Sequence, residues 1–393
     1  MEQNKKRMLI IGPGYGHNTL RKLEPLKENN IYSVVFLAFK LDKTFVKRFP
    51  YVNFVEVKDG GLGKFSYFFQ LAQLIWHVRF HGPIDVLLVL GTSSYLTAPV
   101  FKFARSRTIK VFELWSVHIL EDKTSSSLLK RANRSVIKNA DYISQNWWGI
   151  KEMFVSVYPE YADKFLMYQI FFDDIFFSCQ KHYPESDFVK DFLDRIPDEQ
   201  VVCFWPRSFI PSTNHKLLLD ALGIIKRDKP ELIEHFKLYL WGGNVEDPNC
   251  RAIINSAILD NNLNNHVEIV DHPFVPQNDI FAIEERSNFF VQIANDDILS
   301  TYIMEMICSC KPFVLSNLRT FQFLNEIYNL DVELIDNDLV KITKRLEAIL
   351  NKDEVLTQED YIRRKEKCRN YFSKSNVIPW FKSFEEVFTN RAQ

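Results

Sequence analysis

Short apolar runs recur along this chain, each closed by glycine, proline or polar residues and followed by apolar positions at helical spacing. Runs at 8–11, 32–38, 52–57, 85–90, 110–114 and 141–144 predict strands in the first half. The run DVLLVL at 85–90 does not alternate, so both of its faces are covered, as in a parallel sheet between helices. The first run ends in Gly12-Pro13-Gly14-Tyr15-Gly16-His17-Asn18 and leads into a predicted helix through Lys27. Strand, glycine-rich turn and helix at the start of a chain open an α/β nucleotide-type domain. The spacing is G-x-G-x-G, which does not fit the dinucleotide fingerprint. Helices are also expected at 65–80, aromatic-rich with His77 and Arg79 and most simply packed on the sheet, and at 128–139, basic and amphipathic. A polar stretch at 178–199, holding Pro184 and Pro197, reads as a linker. The rhythm then restarts, with strands near residues 201, 238, 267, 289, 313 and 332 and a helix at 217–225. Two doubly wound parallel sheets follow, an α/β fold class. The domain limits are 1–177, a linker 178–199, 200–355, and C-terminal helices over 356–393.

Residues 295–318 carry the densest chemistry. Asp296 and Asp297 precede Ile298, Leu299, Tyr302, Ile303, Met306 and Ile307 at helical spacing. Lys311-Pro312 ends that helix, and Phe313-Val314-Leu315 resumes as a strand. Asp297 and Glu305 lie about two turns apart, which on a helix places both carboxylates on one face. A helix opening at the carboxyl edge of a parallel sheet presents free N–H groups and a positive dipole end to an anion. The geometry fits a nucleotide, with its diphosphate at Ser300-Thr301 and its ribose near Glu305. An ordinary amphipathic αβ unit with solvated acids is the competing reading.

This stretch resembles the nucleotide-sugar site of retaining GT-B glycosyltransferases (glycosyl transferases group 1), whose E-x7-E motif sits in a pattern like ExFGxxxxEAMAxGxPV. Here it stands as Asp297-x7-Glu305-Met306-Ile307-x-x-x-Lys311-Pro312-Phe313-Val314. The first acid is Asp, Leu299-Ser300 replaces Phe-Gly, and Lys311 replaces the glycine before proline. The family's Gly-Arg appears as Pro206-Arg207. Ser212-Thr213-Asn214 fill the place of its Lys-Gly, with Lys216 displaced. Trp241-Gly242-Gly243-Asn244 resembles the strand ending in GxG beside the nucleotide.

The resemblance implies two Rossmann-like domains facing a central cleft, with a C-terminal helix crossing back to the first domain. It implies donor binding by Glu305, Ser300, Thr301, Lys216 and Gly243 on the second domain. Arg207 would neutralise the departing diphosphate, Asp297 would hold sugar hydroxyls, and His118 would bond the transferred sugar. Gly16, His17 and Asn18 would line the acceptor side of the cleft.

Composition narrows this picture. A chain of 393 residues, 46% apolar with 34 Phe, is long enough for two cores. A net charge of −1 speaks against a general nucleic-acid binder and leaves local basic patches open. The six cysteines lack metal spacing, and Cys308-x-Cys310 falls inside the expected helix as packing. Asp173-Asp174 and Asp296-Asp297 are adjacent pairs rather than Asp-x-Asp, so no metal and no cofactor beyond the donor is expected. Lys5, Lys6 and Arg7 lead into an apolar run that breaks at Gly12, so neither a signal peptide nor a membrane span is expected. A cytoplasmic protein follows. The helix at 65–80 and the tail with Trp380, Phe381 and Phe384 add a reading in which it lies peripherally at the inner face of the membrane.

The function expected is retaining transfer of a sugar from a UDP- or GDP-linked donor to a glycan or glycolipid acceptor in surface polysaccharide biosynthesis. Transfer to modified DNA, nucleotide-sugar epimerisation and non-catalytic nucleotide-sugar binding remain as alternatives.

Overall fold

A computed structural model describes residues 5–14, 19, 22–23, 26, 31–41, 43–61, 65–114, 126–145, 147–167, 177, 183–242, 247–271, 277–297, 300–309, 311–353 and 358–373. The chain divides into two compact units, Met1–Ile170 with Val377–Gln393, and Phe171–Asn376.

In the first unit the described strands are β1 (Lys6–Pro13), β2 (Tyr32–Phe39), β3 (Val52–Glu56), β4 (Val86–Leu90), β5 (Ile109–Glu113), β6 (Tyr142–Gln145) and β7 (Phe165–Met167). They form a parallel sheet in the order β3-β2-β1-β4-β5-β6-β7. Strand order reverses at β1/β4, the position where open α/β sheets leave a crevice at their carboxyl edge. Ile10, Phe36, Leu88 and Val111 are buried at the centre of this core. Sequence reading missed β7, whose three residues directly follow the 3-10 helix Pro159–Lys164.

Part of the glycine-rich turn is explained by strand packing. A Cβ on Gly12 would stand 2.9 Å from Leu90 Cβ, and one on Gly14 would stand 2.8 Å from Ala38 Cβ. Either side chain would push the neighbouring strand away.

Helices α1 (Ser66–Phe80), α2 (Ser94–Phe103) and α3 (Ser127–Asn139) pack side by side, α1 on α2 and α2 on α3. Ser93 and Ser126 cap the last two, accepting from Tyr95 N and Leu129 N at 3.3 Å each. At the other end of α3, Lys164 Nζ donates to the carbonyls of Ile137, Lys138 and Ala140 at 3.0, 3.0 and 2.8 Å.

The second unit contains α4 (Asp187–Asp194), β8 (Val201–Trp205), α5 (His215–Asp228), β9 (Phe236–Trp241), β10 (Val267–Val270), α6 (Gln277–Arg286), β11 (Phe290–Gln292), α7 (Thr301–Cys308) and β12 (Phe313–Leu315). β10-β9-β8 are parallel, a Cys203–Phe289 bridge leads on to the β11–β12 pair, and a Ser316–Ile335 bridge follows. These are the positions at which the apolar runs placed strands. The stretch 178–199 contains α4, whose Val189 and Phe192 are buried with Phe204 and Tyr239 in this unit's core.

Lys311, where the resembling pattern has glycine, reaches back to the end of α6. Its Nζ donates to the carbonyls of Glu284, Glu285 and Ser287 at 2.8, 2.6 and 2.5 Å. Burial lowers the Lys311 pKa to about 8, against the opposing pull of Glu284 and Glu285.

Of the C-terminal helices, Gln358–Phe372 is described. Residues 374–393, with Trp380, Phe381 and Phe384, lie outside the described residues. Among the described residues no helix is long and apolar enough to cross a membrane.

Candidate functional site

The site is assembled at the carboxyl edge of β8 and β11. The chain leaves β8 in a tight turn, Arg207 N donating to Trp205 O at 3.0 Å. Arg207 Nη2 then meets Asp297 Oδ2 at 2.7 Å, with the two side chains 19% and 8% exposed. Gln292, the last residue of β11, is fully buried and donates through Nε2 to the same carboxylate oxygen. Its Oε1 accepts from Trp205 Nε1 at 3.2 Å. Thr320 Oγ1 donates to Asp297 O at 3.0 Å. Asp297 is thus held through both backbone and side chain, and it fixes one edge of the guanidinium.

This corrects the expectation that Asp297 and Glu305 share a helical face. α7 begins only after Ser300, whose φ of −77° and ψ of 160° are extended, so Asp297 lies in the turn before the helix. Asn295 N donates to Ser212 O at 2.8 Å, and Asn337 Nδ2 donates to Ala294 O at 2.8 Å. These bonds tie the segment before Asp297 to other parts of the unit, and Thr320 holds the Asp297 carbonyl that a longer helix would offer to Thr301 N–H. Glu305 sits inside α7 and is 4% exposed.

Among the described residues, Arg207 Nε, His215 Nε2 beside it and Ser300 Oγ at the start of α7 are buried without a hydrogen-bond partner. Ser300 occupies the N-cap of α7, yet its side chain makes no capping bond. An unsatisfied buried polar group typically costs about 1–3 kcal/mol, so native chains seldom leave several together.

Sequence reading missed His215, although a signal was present. His215, Leu218, Leu219 and Leu222 follow i, i+3, i+4, i+7 along α5 and are all buried. The residue before it, Asn214, is left-handed at φ 58°, which asparagine tolerates and which lets the chain turn into α5. The imidazole lies tilted against Trp205 and edge-on to Phe209, with ring centroids 4.3 and 5.2 Å away. Burial above all, then the charge of Arg207, lowers its pKa to about 3, so it is neutral.

Thr213 Oγ1 lies 3.0 Å from Ser208 O, 2.7 Å from Ile210 O and 2.9 Å from His215 Nδ1. Its single proton goes to a carbonyl, so it accepts from Nδ1–H and leaves Nε2 as the lone-pair side.

Because the folded pKa of His215 is depressed from 6.5 to about 3, its contribution to stability is complete above pH 6.5. It falls progressively as pH drops toward 3. Between neutrality and a pH of about 4.5 the unmodified chain should lose about 2–3 kcal/mol more than His215→Asn. Urea unfolding at the two pH values measures this, and parallel losses would show that His215 does not titrate differently on unfolding.

Lys216 is not gathered into the site. It is exposed on α5 and pairs with Asp220 at 2.5 Å. Thr301 starts α7, and only its backbone is described. Gly16, His17, Asn18, His118 and Gly243 lie outside the described residues. Among the described residues no cluster of three or more His, Cys, Asp or Glu is placed to hold a metal ion.

The first unit has its own crevice, about 890 Å³, at the carboxyl ends of β1 to β4. Lys40, Glu56, Lys58, Asp59, Gln70, Thr92 and Ser93 supply its polar lining. Beneath the carboxyl edge of β5, Lys22 Nζ and Glu113 Oε2 form an ion pair at 3.1 Å, with side chains 7% and 3% exposed. Sequence reading did not foresee it.

No protein-family model and no curated protein matches this chain. Solved structures do. Sucrose-phosphate synthase from Thermosynechococcus elongatus superposes with a TM-score of 0.72 at 14% identity, over 98% of this chain and 100% of that one. A glycosyltransferase from Rickettsia africae gives 0.71 at 13% identity, over 99% of both chains. HepE from Anabaena, solved with UDP, gives 0.69 at 14% identity, over 98% of this chain and 100% of that one. These neighbours are GT-B glycosyltransferases, and HepE has also been solved with UDP-glucose. At such identities the likeness is one of fold: the chain has the GT-B fold, with two Rossmann-like units.

Proposed function

We propose that this chain is a glycosyltransferase that moves a sugar, with retention of configuration, from a nucleotide-sugar donor to a glycan or glycolipid acceptor of surface polysaccharide biosynthesis. The observation that carries the reading is the anchored Arg207–Asp297 pair after β8, where Arg207 Nε and His215 Nε2 are buried and, among the described residues, without a hydrogen-bond partner. Arg207 and the N-terminus of α7 would receive the diphosphate. Charge on that diphosphate grows as the sugar departs, so preorganised cations and N–H dipoles favour the transition state over the bound donor. Asp297 positions Arg207, and Glu305 takes the ribose hydroxyls. The crevice at the carboxyl edge of β1 to β4 has the size and the polar lining for a sugar acceptor.

Release of nucleoside diphosphate from UDP- and GDP-sugars, measured with and without glycan and glycolipid acceptors, tests the reading. Acceptor-dependent release supports transfer, whereas interconversion of the donor without release identifies an epimerase. In this reading the chain needs no resident metal, and activity abolished by EDTA would contradict that part.

Glu305→Ala should weaken donor binding by about 1.5–3 kcal/mol, the scale for losing a charge-assisted hydrogen bond. Calorimetric titration of the folded variant with the nucleotide sugar measures it, and unchanged affinity removes Glu305 from the site.

A further inference from the structure

We propose that the layer formed by α1, α2 and α3 is a docking face for an anionic lipid bilayer. α1 turns only Leu74 and Val78 fully inward. Phe65 at its start, then Phe68, Phe69, Trp76 and Phe80, are between 40% and 68% exposed. At 100° per residue these rings fall on one stripe together with Arg79. Phe103, at the end of the neighbouring α2, is 52% exposed. Arg105 Nη2 donates to Arg79 O at 3.3 Å, which joins the two helix ends into one edge. An apolar stripe of this extent on a surface helix marks an interaction site rather than ordinary surface.

Charge names the occupant. α1, α2 and α3 contain no Asp or Glu, although the chain holds 50 acids against 49 Lys and Arg. The exposed charges on this layer are Arg79, Lys102, Arg131, Arg134 and Lys138, and Arg105 and Arg107 follow α2. Lys102, Arg131, Arg134 and Lys138, against the single acid Glu160, line one groove of about 590 Å³ between α2, α3 and the Tyr158–Tyr161 segment. Aromatic rings with a central tryptophan suit the boundary between headgroups and acyl chains, and a cationic flank suits acidic headgroups. A second copy of the chain fits less well, because a two-fold interface through this face would set the two cationic arrays against each other. Gln70 of α1 also lines the crevice at the carboxyl edge of β1 to β4. Docking through α1 therefore places that crevice beside the lipid surface.

Sedimentation of the full chain with phosphatidylcholine vesicles, with and without phosphatidylglycerol, tests the proposal. Binding to the mixed vesicles is expected to be at least about tenfold tighter than to phosphatidylcholine alone and to weaken as salt rises. The triple variant Phe68→Ser, Trp76→Ser, Phe80→Ser should bind mixed vesicles about 10²-fold more weakly with unchanged thermal melting, since these side chains are mostly in water already. Arg131→Gln with Arg134→Gln and Lys138→Gln should abolish the preference for acidic lipid. Absence of vesicle binding, or binding indifferent to both sets of substitutions, overturns the proposal. So does a dimer, or a complex with a DNA duplex, that the aromatic substitutions dissolve while vesicle binding persists.

Discussion

Arg207→Ala is expected to lower turnover by about 10²–10³-fold while changing donor affinity much less. The asymmetry follows from where charge appears. A bound nucleotide sugar already carries its diphosphate charge, but cleavage of the glycosidic bond adds charge to the leaving oxygen. A cation that is rigid before the reaction stabilises this increment without reorganising. Rigidity is what the surroundings of Arg207 supply: a backbone turn onto Trp205, a 2.7 Å contact with Asp297, and Gln292 behind that carboxylate. Arg207→Lys should recover only part of the rate, because it keeps the charge and loses the planar fork and the buried Nε. Single-turnover kinetics alongside donor titration separate the terms. Equal losses in rate and affinity would make Arg207 a plain phosphate anchor.

Glu113→Gln should destabilise the first unit by about 3–5 kcal/mol, the usual consequence of removing one member of a buried ion pair. The shape of the side chain is kept, so the loss reports the Lys22 charge held in the interior without that carboxylate. Adding Lys22→Met should restore most of the stability, since the remaining charge is then gone as well. Urea unfolding of the two single variants and the double variant closes the cycle. A single-variant loss below about 1 kcal/mol would mean that water reaches the pair.

Most of the fold was legible because parallel strands buried on both faces leave uninterrupted apolar runs, as at 85–90 and 201–205. β7 escaped because three residues carry no period. The helix at 65–80 read most simply as one packed on the sheet. It does pack there through Leu74 and Val78, yet it leaves its rings in solvent, and composition alone cannot tell which side of a helix with apolar residues all round is covered.

At the site, the resemblance supplies Arg207 as the arginine of the family's Gly-Arg, and the structure brings it together with Asp297. The role given to Asp297 rested on extending α7 backwards through a turn that is tied down elsewhere, at Ser212 and Asn337. Gln292 and His215 were overlooked although each is a polar residue on an otherwise apolar face, FVQ in β11 and the inward stripe of α5. Polar residues in such places are costly unless they have a task.

Lys164 and Lys311 occupy matching places, each just before a strand and each closing the carboxyl end of a helix from more than twenty residues away along the chain. A glycine cap is local and survives in an isolated helix. These ammonium clips exist only while the strand that follows is paired in its sheet. The final turns of α3 and α6 are therefore bound to the sheet's fate, and they gain protection from amide exchange together with β7 and β12 rather than fraying ahead of them.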